Sequence, residues 1–211
     1  MINENTRLAN RHALYLGESG SGKSTCMKRC AGIPKKGARV LVFDPNKDHG
    51  GVQFTDRSKY ARALAVANRS GRGFRLSFVG SGVDTFEWWC KCVLLVLDGS
   101  KTTYILCDEY SAQSPTSGLI NPKAFPAHAA LWLQSRKYGG VIRAASHRPQ
   151  NISKDALENA ANIYVGGMGS RARKSVNAET DIPVDDIKAL VIGEFFHWKR
   201  GAKVKKISLF G

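Results

Sequence analysis

The chain has 211 residues, 43% of them hydrophobic, which suits one α/β domain with a buried core, alone or with a small appendage. Its formal net charge is +15, more than an enzyme confined to small molecules needs, so nucleic acid is the leading partner and a generally basic surface the plainer alternative. The longest apolar run, Val93 to Leu97, is too short to cross a bilayer, and Met1 to Asn10 has no signal-peptide core, so no integral membrane segment is expected.

The five cysteines (Cys26, Cys30, Cys90, Cys92 and Cys107) are odd in number and lack paired C-x-x-C zinc spacing. They imply a reducing cytosol. Cys26 and Cys30 would lie one turn apart on a helix as small core residues.

Residues 1–11 read as a polar lead-in. His12 to Leu16 is short and mostly apolar, as a buried strand should be. Gly17-Glu18-Ser19-Gly20-Ser21-Gly22-Lys23-Ser24-Thr25 then fits G-x-x-x-x-G-K-[ST], the P-loop or Walker A pattern. A triphosphate is highly charged, so the loop must bring several backbone N–H groups close to it. Gly17, Gly20 and Gly22 permit that approach because they lack Cβ. A helix over Ser24 to Ala31, stopped by Gly32 and Pro34, adds its positive N-terminal end. Lys23 would reach the β/γ-phosphates, Ser24 would ligate Mg²⁺ and Thr25 could bond the α-phosphate.

Ala38 to Phe43 is a second β-rich run ending in Asp44-Pro45-Asn46. A carboxylate there lies at the ligand edge of an open sheet, unless Asp44 only starts a turn. Gly50 to Thr55 reads as loop, and Ser58 to Ser70 as a helix capped by Ser58 and broken by Gly71. Gly73 to Val79 alternates like a strand. Asp84-Thr85-Phe86-Glu87 has capping-box spacing and opens a helix to about Leu97, whose aromatics read as core.

Thr103-Tyr104-Ile105-Leu106-Cys107-Asp108-Glu109 is an apolar strand ending in two carboxylates, the Walker B pattern with a catalytic glutamate. Asp108 would hold Mg²⁺ through water, opposite Ser24, and Glu109 would polarise the attacking water. Ser111 to Pro126 reads as loop, Ala127 to Tyr138 as helix and Val141 to Ser146 as strand. A short helix over Asp155 to Ala161 leads to a further parallel strand over Asn162 to Val165. Met168 to Val176 reads as a loop carrying Arg171, Arg173 and Lys174, a candidate DNA contact, a cap over nucleotide or a solvated loop. Val184 to Leu190 is a weak helix. Glu194 to Lys199 and Lys203 to Phe210, around Arg200-Gly201, predict a closing hairpin within 193–211.

Leu133 to Val141, with Arg136-Lys137-Tyr138-Gly139, and Ala144-Ala145-Ser146-His147-Arg148-Pro149 complete a recognisable order. It resembles the FtsK–HerA superfamily of DNA-pumping ATPases. That superfamily has a P-loop, an Asp-Glu strand, a helix ending in Arg-x-x-Gly, and a strand ending in a small-polar-Gln-Arg-Pro motif. In size the chain is most similar to the small genome-packaging ATPases of membrane-containing icosahedral viruses. The resemblance covers roughly residues 11–165 and arguably the hairpin. It implies a RecA-like (ASCE) P-loop fold: one domain over 1–211, with a mostly parallel central sheet flanked by helices and Walker A and B on neighbouring core strands. It implies ATP and Mg²⁺, a homo-oligomeric ring of five or six subunits, sequence-independent DNA binding, and docking on capsid or portal-vertex proteins. The setting it implies is the host cytoplasm or the virion's packaging vertex.

By the same resemblance, Arg136 is an arginine finger toward the neighbouring subunit's γ-phosphate. His147 stands where the family usually has a sensor glutamine, and Arg148 assists it or only fixes the Arg-Pro turn. Other readings stay open: a P-loop kinase with Arg171 and Arg173 as a lid, a motor of conjugation or phage export, or a basic assembly protein regulated by nucleotide. A GTPase would need Asn-Lys-x-Asp, which Asn46-Lys47-Asp48-His49 does not supply.

Overall fold

The computed structural model describes residues 2–210. The Walker strands are β1 (Ala13–Leu16) and β5 (Thr103–Cys107), and with β2 (Arg39–Phe43), β4 (Phe74–Phe78), β6 (Gly140–Ser146) and β7 (Asn162–Val165) they lie where the apolar runs predict. A short β3 (Val52–Phe54) pairs with β4 inside the segment expected to be loop. β8 (Glu194–Lys199) and β9 (Lys205–Ser208) form the closing hairpin. The sheet order is β3-β4-β2-β5-β6-β1-β7-β8-β9, parallel except at the hairpin, where β8 runs antiparallel to β7. The Walker strands, expected to be neighbours, are not: β6 lies between them, paired to both.

Alternate strand residues face two unequal layers. Leu14, Leu16, Leu41, Phe43, Ile105 and Cys107 share a large core with helices α2 (Arg57–Arg69), α3 (Val83–Val96), α5 (Pro126–Gln134), α6 (Lys154–Asn159) and α7 (Ser170–Thr180). On the opposite face Ala13, Tyr15 and Ala145 pack against Cys26 and Met27 of α1 (Lys23–Cys30) and Phe195 of the hairpin. Arg143 of β6 donates from Nε and Nη2 to the Ala31 carbonyl, at 3.0 and 2.8 Å, placing a cation at the C-terminal end of α1. Tyr15, Tyr164 and His197 stack across β1, β7 and β8 with centroids 4.7 and 4.4 Å apart, which pins the hairpin's register.

Helix ends depart from expectation in instructive ways. Asp56, not Ser58, caps α2: its Oδ1 accepts the Lys59 N–H at 2.7 Å. Asp84 and Glu87 do not form a capping box. Glu87 instead reaches α5, whose first residue, Pro126, has no N–H, and accepts the next two N–H groups, from Ala127 (3.0 Å) and His128 (2.8 Å). The expected 111–126 loop opens with a short α4 (Tyr110–Gln113), and the helix expected over 127–138 ends as a 3₁₀ turn, Ser135–Tyr138. Residues 168–176 are not a loop, since α7 begins at Ser170. A second 3₁₀ turn (Pro149–Asn151) and α8 (Val184–Lys188) complete the elements.

Candidate active site

Parallel strands deliver their C-terminal ends to one edge, and the candidate site lies there. Gly20 and Gly22 adopt φ of 81° and 97°, which side-chain-bearing residues rarely reach, and a Cβ on Gly17 would sit 2.6 Å from Ser21 Oγ. Three neighbours hold the loop: Gly17 N–H donates to Ser146 O (3.2 Å), Glu18 N–H to Gly167 O (2.9 Å), and Gly193 N–H to Ser21 O (3.1 Å). α1 has no acidic residue in its first turn, so its first N–H groups face the edge as an anion cradle. Lys23 Nζ folds back to donate to Glu18 O at 2.9 Å. Burial holds the Lys23 ammonium below its ordinary pKa, against the opposing pull of Glu109, Asp108 and Glu18. Ser24 and Thr25 follow in the first turn of α1 and are half-buried. This loop fits a nucleotide's phosphates: the glycine backbone is cleared for close approach, and its cation has only a backbone carbonyl to give up.

Asp108 is 3% exposed. Burial raises its carboxyl, but the His49 ring, the Glu109 N–H and the Lys23 ammonium together hold it below the usual carboxylate range. An ionised Asp108 beside a serine-bearing P-loop helix is a donor set that suits Mg²⁺. Glu109 has left-handed backbone, φ 49° and ψ 42°, and its Oε2 lies 2.5 Å from His147 Nδ1. His147 thus joins Lys23, Asp108 and Glu109 at one edge, with β6 delivering it between the Walker strands.

The sequence did not single out His49 as a site residue. Its Nε2 lies 3.3 Å from Asp108 Oδ2, and Asp44 at the end of β2 accepts the His49 N–H at 2.9 Å. Asp44 is thus at the ligand edge and is also the turn-former. The one sequence signal for His49 was its place five residues after Asp44.

The structure does not bring Arg136 to its own subunit's site. It lies on the 3₁₀ turn before β6, at the opposite end of the sheet from the P-loop, and its Nη1 donates to Leu8 O at 2.8 Å. Arg148 is exposed beside His147. Arg171 and Lys174 are exposed on α7, while Arg173 turns inward and donates from Nη1 to Met168 O at 2.8 Å. Beside the loop an open cleft is walled by Glu18, Ser19, Leu190, Val191 and Ile192, the last two 64% and 71% exposed.

Comparison with known proteins bears out the resemblance to the FtsK–HerA superfamily. Residues 4–80 match the family model DUF87, helicase HerA, central domain. The chain is 26% identical over 186 residues to Protein P9 of Pseudoalteromonas phage PM2, covering 87% of this chain and 81% of P9. Among solved structures it is similar to the genome packaging NTPase B204 of Sulfolobus turreted icosahedral virus 2 in complex with AMPPCP. The TM-score is 0.69 at 15% identity, over 93% of this chain and 96% of B204. VirB4 of Thermoanaerobacter pseudethanolicus gives a TM-score of 0.64 at 13% identity, over 96% of this chain and 90% of that one. The fold is that of RecA-like P-loop ATPases.

Proposed function

We propose that this chain is an ATP-hydrolysing DNA translocase, a single ATPase domain whose load is a viral genome pumped into a preformed capsid. The observation that carries this reading is Glu109, held against His147 at the edge where Lys23 and Asp108 converge. A kinase has no use for a base so placed to polarise water, and a protein that only senses nucleotide does not need one.

ATP is the substrate. Its phosphates replace Glu18 O as the partner of Lys23, the loop and helix N–H groups cradle them, and Val191 and Ile192 offer the base an apolar wall. Ser24 and Asp108 hold Mg²⁺, which when bound neutralises phosphate charge. Glu109 polarises the attacking water, and His147 orients that carboxylate and can hydrogen-bond the water or the γ-phosphate. Arg136 completes the neighbouring subunit's site in a ring of five or six copies, which ties hydrolysis to subunit contact. The positive charge grips DNA through its phosphates, without regard to sequence, and Arg171 and Lys174 on α7 are the exposed candidates for contact. Capsid or portal-vertex proteins are the docking partners, in the host cytoplasm or at the packaging vertex. The likeness to B204, a genome packaging NTPase, and to a phage protein favours this load over others.

A likeness in fold to the bacterial conjugative coupling protein TrwBdeltaN70, with a TM-score of 0.63 at 10% identity over 98% of this chain and 86% of that one, favours a second reading, a motor of the conjugation or export type. Among the described residues no helix is long and apolar enough to cross a membrane, a segment such motors commonly carry. Hydrolysis rates with and without double-stranded DNA, for wild type and Glu109→Gln, test the proposal. DNA-stimulated hydrolysis that the substitution abolishes supports it. A rate indifferent to both defeats it.

A further inference from the structure

Asp44, His49 and Asp108 each offer one ligand atom, and these three atoms lie within 4.8 Å of one another. All three residues are buried, and the His49 side chain is fully so. Both His49 ring nitrogens are sealed from solvent without a hydrogen-bond partner, although Nε2 is 3.3 Å from Asp108 Oδ2. That contact is close enough for a hydrogen bond but not aligned as one. An imidazole left in this state has given up its hydrogen bonds to water and gained none in return. Something must compensate for it.

We propose that Asp44, His49 and Asp108 form a transition-metal site that fills without nucleotide. Two carboxylates and a neutral imidazole cancel the charge of a divalent ion. Donors about 2.1 Å from one ion stand about 3.0–3.4 Å apart, so the His49–Asp108 spacing already matches. The nitrogen donor selects Zn²⁺ or Co²⁺ over Mg²⁺ and Ca²⁺, which take oxygen. The second carboxylate is fixed in advance: Asp44 accepts the Asp48 and His49 N–H groups at 2.9 Å each, and the Ser77 hydroxyl at 3.4 Å. An open cleft walled by Lys28, Lys35, Arg75 and Leu106 reaches His49 from the thinly covered face of the sheet. The three cations on its wall oppose an entering ion, so the affinity is moderate. Such an ion ties the end of β2 to the end of β5 and fixes the Walker B carboxylate before ATP arrives.

The site shares Asp108 with the ATPase reading but takes its other two ligands from outside it and needs no nucleotide, so it is tested separately. Co²⁺ is titrated into nucleotide-free wild-type protein, followed by visible absorption and calorimetry. The expected result is saturation at one ion per chain, with d–d bands and no near-ultraviolet thiolate charge transfer. That absence rules out capture by Cys26 and Cys30, whose sulfurs lie 4.0 Å apart. His49→Gln and Asp44→Asn each weaken binding at least about tenfold. Lys23→Ala, which disables the phosphate loop, leaves it intact. No saturable binding by the wild type overturns the proposal, whether or not the variants fold, and so does binding that a folded His49→Gln retains. If Co²⁺ binds while ATP is not hydrolysed, the motor reading falls and the metal site stands.

Discussion

Glu109 Oε2 and His147 Nδ1 approach to 2.5 Å, although the two residues follow different strands, β5 and β6. Glu109 adopts left-handed backbone, which costs a residue with a side chain about 1–2 kcal/mol. The contact with His147 is what that conformation achieves: it turns the carboxylate from the strand end toward β6. Glu109→Gln is expected to lower kcat by about 10²–10⁴-fold while ATP binding persists. His147→Gln can still hydrogen-bond Glu109 and should keep far more activity than His147→Ala. Steady-state kinetics with a nucleotide-binding measurement on all three variants checks this. Equal rates for the two His147 variants would show that the imidazole position carries no hydrogen bond that matters.

Arg136 sits at the far end of the sheet, satisfied by the Leu8 carbonyl. Acting as a finger, it must leave that partner for the next subunit. Arg136→Ala is then expected to cost about 10³-fold in kcat, with ATP binding by the isolated chain unchanged. Mixing Arg136→Ala with Lys23→Ala subunits should restore activity, because some interfaces then pair an intact loop with an intact arginine. No recovery at any ratio would assign Arg136 a structural role.

Two buried histidines make the fold acid-sensitive. Burial, helped by Arg143 and Arg136, lowers His12 from 6.5 to about 3, and burial alone lowers His128 equally far. Below pH 6.5 the unfolded chain takes up protons at both positions that the folded chain refuses until about pH 3. Stability is thus fullest above that window and falls as pH falls through it, by about 2 kcal/mol per histidine at pH 5. Denaturant melts at pH 7 and pH 5 measure the slope, and His128→Gln should roughly halve it.

Glu87 gives the sharpest stability test away from the site. It accepts both free N–H groups in the first turn of α5 while itself lying on α3. Glu87→Ala strands those donors in the core and should cost about 1–3 kcal/mol. Thermal melts read the loss, and hydrolysis below the melting range should be unchanged.

The local parts of this molecule could be read from the chain. The P-loop and the Asp-Glu strand are short patterns whose chemistry demands their spacing, and the apolar runs set six of the seven parallel strands. What could not be read depends on partners distant in sequence. β3 is three residues at the sheet edge, and only its pairing with β4 makes it a strand. The place of β6 between the Walker strands follows from a crossover that no local pattern encodes. Glu87 sits at capping-box spacing from Asp84 yet caps a helix forty residues on. His49 is marked in sequence only by its place after Asp44, because its significance is its nearness to Asp108 in space. α7 hid behind glycine, serine and arginine, since it buries only Ala172, Val176 and Thr180.

The grip on the phosphate loop bears on how the protein is made. Gly17 and Glu18 leave the ribosome well before Ser146 and Gly167, whose carbonyls anchor them. The donor to Ser21 is Gly193, whose own carbonyl waits for the Leu209 N–H. Nascent chains therefore carry the whole Walker A motif long before the loop can be held in shape. A product of premature termination lacks the last of these anchors, so it should compete poorly for ATP.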